Sequence, residues 1–312
     1  MTATTPLVAA PAIRGTAGFA QRSPLMDTLR KLRRHRSFQI GLVLIVLLLL
    51  VALFADLIAP FDPVKPLREV KRRDTPCIYL LGCPADQPEH LMGIDGNSRD
   101  LFSRVVFGAR LSLQIGVITT SVAIVLGSVL GGLAGYAGGW TDNLIMRVMD
   151  VVLAFPSLLL AIAILSVLGP GLINALLAIG IVAIPIYARL LRASVLAVKG
   201  MEYVTAARAV GAPPFHLFMT HILPNSLTPL VVQGTLGVAT VILEAAALSF
   251  LGLGAEPPKP EWGLMLGEER NSIFNAPHLV FFPGFAIMLT VLSFNLLGDG
   301  LRDALDPRLR VD

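Results

Sequence analysis

Few side chains in this 312-residue chain are placed to do chemistry. The first is Glu244, a single carboxylate in an otherwise uncharged run from about Ser226 to Leu251. Near a bilayer centre a charge costs roughly 2.5–3.5 kcal/mol, so such a group faces a bundle interior, a cavity or an interface. Three roles are open to it: a hydrogen bond inside the bundle, the wall of a translocation path, or an interfacial position. The second candidate is the pair Cys77 and Cys83, the chain's 2 cysteines, which can close a small disulfide or stay as thiols; their spacing alone does not decide. Nucleophilic catalysis would need a serine and a histidine on facing helices. Ser128, in "LGSVLGG", is the nearest candidate, but the 5 histidines (His35, His90, His216, His221 and His278) fall in loops, tails or span ends. The sequence has no H-E-x-x-H, no zinc-type cysteine set and no Walker A glycine loop, so it offers neither a metal site nor a means of hydrolysing ATP.

The elements that would carry these residues are apolar helices. The chain is 54% hydrophobic and 15% charged, where a soluble globule carries about a quarter charged residues. A spanning helix needs about 20 apolar residues. Such windows run from Ile40 to Ala59 and from Leu111 to Ala137, the latter with Gly116, Gly127, Gly131, Gly132 and Gly135 to let helix backbones approach. The uncharged stretch between Asp150 and Arg189 fits two spans, with "GPG" at 169–171 as the turn, and Arg147 and Asp150 are spaced to pair at its start. Ser226–Leu251 and Leu279–Leu297 complete the set. The expected fold is therefore an all-α polytopic membrane protein with six transmembrane helices.

Orientation follows from basic residues. Arg30, Lys31, Arg33, Arg34 and Arg36 precede the first span, which places the N-terminus in the cytoplasm. Six spans return the C-terminus to the same side of the plasma (inner) membrane. The "KRR" at 71–73 then lies outside and works against this arrangement. The first span is too long for a signal-peptide core and reads as a retained anchor. Residues 1–24 are rich in Ala, Thr and Pro and read as disordered. The net charge of +4 suits a lipid surface and does not imply nucleic acid.

The chain thus divides into a cytoplasmic tail (1–37), a first helix (38–60), an extracytoplasmic loop (61–110), a five-helix core (111–303) and a cytoplasmic tail (304–312). The loop ends in "MGIDGNSRDLFSRVVFGARLSL", read as a turn and an amphipathic interfacial helix N-capped by Ser98. The other outside loop, 255–278, carries Glu256, Glu261, Glu268 and Glu269 against Lys259 and Arg270; it reads as a solvated loop or as a docking surface.

One cytoplasmic stretch breaks the apolar pattern: "EYVTAARAVGAPPFHLFMTHILPNSL", residues 202–227. Glu202 to Val210 favours helix, and Gly211 stands where a helix C-terminal glycine belongs. Ala212 precedes proline and is pushed out of the helical region, and Pro214 opens a second short helix. Phe215, Phe218 and Ile222 share one face of it, and Pro224 stops it. An apolar face in this place wants a protein partner or the membrane surface.

The stretch resembles the EAA loop of ABC importer permeases, whose pattern is E-A-A, three residues, G, nine residues, I-x-L-P. Ala206, Ala207, Gly211, Leu223 and Pro224 match it. Thr205 replaces the glutamate, for which Glu202 one turn earlier is the candidate substitute, and His221 replaces the isoleucine, with Ile222 following. "MGIDGNSRD" is similar to the family's L-G-T-D-x-x-G-R-D, with Ile94 and Ser98 as departures. "GGWTDNLIMRVMDVVLAFPSLLLAIAI", "ILEAAALSFLGLGAEPPKPEWGLML" and "NLLGDGLRDALDPRLR" resemble the third span, the fifth-span end and the tail of the same group.

Together these segments resemble the C-type permease of dipeptide/oligopeptide systems, a subgroup that also includes nickel and some glycoside importers. The resemblance implies the type I ABC importer permease fold. It implies a paralogous permease as the other half of the channel, two cytoplasmic ATPase subunits holding ATP and Mg, and an extracytoplasmic substrate-binding protein. It also implies an ATPase-coupling loop spanning 199–225, with Glu202, Thr205, Ala206, Ala207, Gly211, Phe215, Phe218 and Pro224 at its contacts. The rival readings are an ion-coupled secondary transporter, which would show paired broken helices and several buried ionisable groups, and an intramembrane serine protease built on Ser128.

Overall fold

The apolar windows become helices whose small and polar residues decide how they meet. The computed structural model describes residues 32, 35–68, 70–81, 83–84 and 89–305. The segment 1–24, most of the basic N-terminal cluster (Arg30, Lys31, Arg33 and Arg34) and residues 306–312 of the tail lie outside them. The long helices are α1 (Arg36–Leu53), α2 (Leu101–Ala137), α3 (Gly139–Leu153), α4 (Ser157–Leu168), α5 (Leu172–Lys199), α6 (Glu202–Ala209), α7 (Thr228–Phe250), α8 (Trp262–Glu269) and α9 (His278–Leu305). Five of them (α1, α2, α5, α7 and α9) are long and apolar enough to cross a membrane, and the bent pair α3–α4 makes the sixth candidate span.

Two expectations change here. The third span was expected to run from Asp150 to the "GPG" turn; instead the helix starts at Gly139 and breaks between Leu153 and Ser157, with a bend of 92°. The cause is Pro156, which has no N–H to donate and clashes with the preceding turn, and which drives Phe155 out of the helical region. The stretch expected as a separate interfacial helix is the first part of α2, which runs unbroken past residue 111. Its N-cap is Asp100, whose side chain accepts from the Ser103 N–H, and not Ser98, which sits at φ 61° in the preceding turn.

Close approach of α2 and α5 is set by a glycine row on α2. A Cβ on Gly127 would lie 2.7 Å from Tyr187 Cβ, and one on Gly131 would overlap the Ala188 carbonyl oxygen. Gly132 and Gly116 serve other neighbours, Phe218 and Ile242. The expected Arg147–Asp150 pair does not form. Asp150 instead pairs with Arg189, and Asp142 with Arg192 Nη2 at 2.6 Å, so both carboxylates clamp α3 onto α5. A charge reaching across a helix interface gains a partner that also fixes packing, which an i,i+3 pair on one exposed face does not.

Three buried clusters fill the bundle. One gathers α1, α2, α7, α8 and α9 around Trp262; a second joins α4, α5 and α7 through Leu165, Ile179 and Leu248. The third seats the segment after α5, through Val204, Leu217 and Ile222, against Leu191, Val195 and Val198. The start of α1 meets the end of α9, where His35 Nδ1 is 3.8 Å from Asp303 Oδ2, so the two described ends of the chain share one end of the bundle. The start of α7 lies there too, since Thr228, Arg302 and Leu305 line one groove.

Candidate coupling segment and translocation face

At the end that carries both described ends of the chain, the segment following α5 folds as two short helical pieces set at an angle. Helix α6 ends in a turn closed by Gly211 at φ 89°, with the Ala212 N–H donating to the Ala207 carbonyl at 3.2 Å. A residue with no Cβ takes this left-handed conformation without strain. Pro213 and Pro214 then open a helical turn, Pro214–His216, that passes into π-helix over Leu217–Ile222 and an α-turn over Leu223–Ser226.

Pro224 therefore does not stop the helix, contrary to the reading of the sequence. Winding continues because the loosened carbonyls find side-chain donors: Asn225 Nδ2 to the His221 oxygen at 2.7 Å and Ser226 Oγ to the Ile222 oxygen at 2.8 Å. The wider π spacing also takes the Pro224 ring away from the carbonyl it would strike in an α-helix.

Glu202, Thr205, Ala206, Gly211, Phe215 and Pro224 are exposed, and Ala207 is half-buried. The aromatic pair divides. Phe215 is 73% exposed, whereas Phe218 is half-buried against Tyr136, with ring centroids 4.9 Å apart, and Ile222 is fully buried. The three residues thus share no outward face, because the π-turn shifts the register between Phe215 and Ile222. Val210, 90% exposed, stands with Phe215 as the outermost apolar group of the segment, a residue the sequence reading passed over. It also missed Tyr136, which ties the segment to the end of α2 by donating to the Pro214 carbonyl at 2.6 Å. Lys199 Nζ in turn donates to the Tyr136 carbonyl at 2.8 Å. A lone tyrosine closing a glycine-rich span was the available signal.

Deeper in the bundle, Glu244 is half-buried on α7 and accepts a hydrogen bond of 2.8 Å from Ser157 Oγ, the first residue of α4 beyond the break. Among the described residues Ser128 Oγ has no hydrogen-bond partner, so they assemble no serine–histidine pair there.

At the opposite end Cys77 and Cys83 are joined as a disulfide, and the two connecting loops are locked together. Asp95 accepts from the Arg99 side chain at 2.7 Å, and Arg99 reaches on to Glu268 at 3.0 Å. Arg104, fully buried, donates to the carbonyls of Pro63 and Pro258 at 2.9 and 3.1 Å, and Arg73 meets Glu269 at 3.0 Å. The acidic loop 255–278 is thus not a solvated one: Glu269 is an internal partner of the first loop and Glu261 is buried as the N-cap of α8. Burial pushes the Glu261 carboxyl above its ordinary pKa, while the N–H groups of Gly263 and Leu264 pull the other way. Removing one partner from a buried ionic group leaves the others uncompensated, at about 3–5 kcal/mol. Arg104→Met is expected to lower the midpoint of thermal unfolding in detergent well below that of Arg73→Met, whose guanidinium is half-exposed; equal midpoints for the two variants would contradict the geometry.

Residues 105–311 match the family described as binding-protein-dependent transport system inner membrane component. The chain belongs to that family. Residues 23–75 further match the N-terminal TM domain of oligopeptide transport permease C. The dipeptide transport system permease protein DppC of Alkalihalophilus pseudofirmus is 48% identical over 288 residues, covering 92% of this chain and 91% of that one. The di/tripeptide permease DppC of Pseudomonas aeruginosa is 47% identical over 92% and 93% of the two chains. The glutathione permease GsiD of Escherichia coli O157:H7 is 44% identical over 93% and 92%. Among solved structures, an inward-facing form of the MetNI methionine ABC transporter shares the fold, with a TM-score of 0.54 at 19% identity, over 65% of this chain and 97% of that one. As a member of this permease family the chain is a multi-pass membrane subunit of an ABC importer, with the type I permease fold.

Proposed function

We propose that this permease subunit carries di- and oligopeptides, with both termini and the segment 202–226 on the cytoplasmic side of the inner membrane. The observation that carries the reading is the segment's shape: anchored from below by Val204, Leu217 and Ile222, it presents Val210, Phe215 and the Glu202–Ala206 face outward at the end shared by the start of α1 and the end of α9. That is a docking element for an ATPase subunit, two of which would hold ATP and Mg; this chain supplies no cofactor. A paralogous permease forms the other wall of the path, and an extracytoplasmic binding protein delivers substrate to the loops that the Asp95–Arg99–Glu268 ion pairs hold together. Peptides are favoured as cargo by near-half identity to dipeptide and di/tripeptide permeases over nine-tenths of the chain. The test is uptake of labelled dipeptides by the complete complex in proteoliposomes; uptake of a nickel chelate or glycoside in its place would reassign the cargo.

The topology has its own check. In right-side-out cells, after reduction, Cys77 and Cys83 are both expected to react with a membrane-impermeant thiol reagent. Labelling only after permeabilisation would invert the orientation.

A further inference from the structure

Helix α7 carries polar residues through membrane depth on one side. Gln233, Thr240 and Glu244 fall within about 40° of one another on a helix of 3.6 residues per turn. Thr240 is exposed on the bundle exterior, and Gln233 and Glu244 are half-exposed. Glu244 lies about four turns from the Thr228 end of α7 and two from the Phe250 end, roughly 9 Å inside the latter. Facing it is the break in the α3–α4 span, where Ala154, Phe155, Pro156 and Ser157 are all exposed. Helix geometry leaves the first-turn N–H groups of α4 without intrahelical acceptors. Hydrocarbon tolerates an interrupted backbone only where it is covered by protein or lines a water-filled cavity. The break and the polar row are tied to each other by the Ser157–Glu244 hydrogen bond, so a single surface carries both.

Among the described residues Glu244 also lacks a counter-ion. The acidic groups of the neighbouring α3 are matched, Asp150 with Arg189 and Asp142 with Arg192, and among the described residues no ion pair reaches Glu244. Ser157 Oγ engages only Oε1, which leaves Oε2 and the serine lone pairs as acceptors on the open side.

We propose that this surface is a substrate site in the translocation path, in which Glu244 and Ser157 receive the N-terminal ammonium group of a passing peptide. The inference rests on the peptide reading above and deepens it. A peptide amino group has a pKa of about 7.7–8.0 and is largely charged at neutral pH. It brings three donors to a pair that offers acceptors and a negative charge.

The test places a thiol at Ser157 in the assembled, reconstituted complex and measures its rate of modification by methanethiosulfonate reagents. Ser157→Cys is expected to react with the ethylammonium reagent at least ~10-fold faster than with the ethylsulfonate, given an unpaired carboxylate nearby. Adding Glu244→Gln should bring that ratio down to the one the two reagents show with a free thiol in solution. A saturating peptide with a free N-terminus should slow the reaction, and its N-acetylated form should not. An unreactive thiol would show the face sealed against the paralogous permease or lipid, and would overturn the proposal. So would a charge preference that Glu244→Gln leaves undiminished, or equal protection by both peptides. Peptide uptake by the unsubstituted complex is measured separately. Its failure beside a normal charge preference would overturn the peptide reading and the ammonium assignment with it. Intact uptake without charge preference would overturn the assignment alone.

Discussion

Gly131→Leu is expected to abolish recovery of folded protein from the membrane. At this position the α2 backbone lies against α5 so closely that even a methyl group would overlap the Ala188 carbonyl. The obstacle is backbone, which cannot rotate away as a side chain can. Gly127 and Gly135, one turn to either side, are nearly as tight, with Cβ positions 2.7 Å from Tyr187 Cβ and 3.0 Å from the Arg192 oxygen. Local tilting therefore gives no relief. Overpacking by one carbon costs about 1–3 kcal/mol, so Gly131→Ala should survive with a lowered unfolding midpoint. A leucine side chain must instead separate the two helices along their whole contact. Gly138, which has open space around it, is the control: Gly138→Ala strains a positive φ but meets no neighbour. Size-exclusion profiles of solubilised membranes would read the difference. A monodisperse leucine variant at wild-type yield would show that α2 and α5 are not held as described.

Gly211→Val is expected to leave the membrane domain intact and to disconnect it. The surroundings of Gly211 are open, so no collision arises; the cost comes from φ 89°, which a β-branched residue does not adopt. The penalty is about 1–2 kcal/mol, and it is relieved by unwinding the turn between α6 and Pro213. Unwinding reorients Val210 and Phe215, the two apolar groups that project furthest. The buried anchors Val204 and Ile222 are untouched, so abundance and pairing with the other permease should be near normal. Recovery of ATPase subunits in a pull-down should fall by about tenfold or more, the equivalent of 1.4 kcal/mol of lost docking energy. Wild-type recovery and transport in this variant would remove the segment from the coupling role.

The sequence disclosed the helices because each is a run of apolar residues bounded by charge, glycine or proline, and these are local signals. It disclosed the turn at Gly211 for the same reason. It misjudged what depends on partners distant along the chain. Asp150 has an arginine three residues away and another thirty-nine residues away, and only packing of α3 on α5 shows that Arg189 wins. Glu268 and Glu269 look like loop solvation until the folded loops bring Arg99 and Arg73 to them from 169 and 196 residues away. Phe218 was assigned an outward face by counting α-helical turns. The π-helical register that turns it inward depends on Asn225 and Ser226 capping carbonyls ahead of them.

That register has a bearing on how the chain tolerates changes of length. In an α-helix a deletion rotates everything beyond it by about 100° and unseats every buried contact downstream. Over Leu217–Ile222 the backbone already holds a surplus residue relative to α winding. Loss of one residue there would tighten the turn to ordinary α-helix without rotating α7, but it would bring the Pro224 ring back toward the carbonyl that the π spacing now spares. The join between the projecting segment and the membrane helix thus holds one residue more than an α-helical join would, and Pro224 is the residue that needs it.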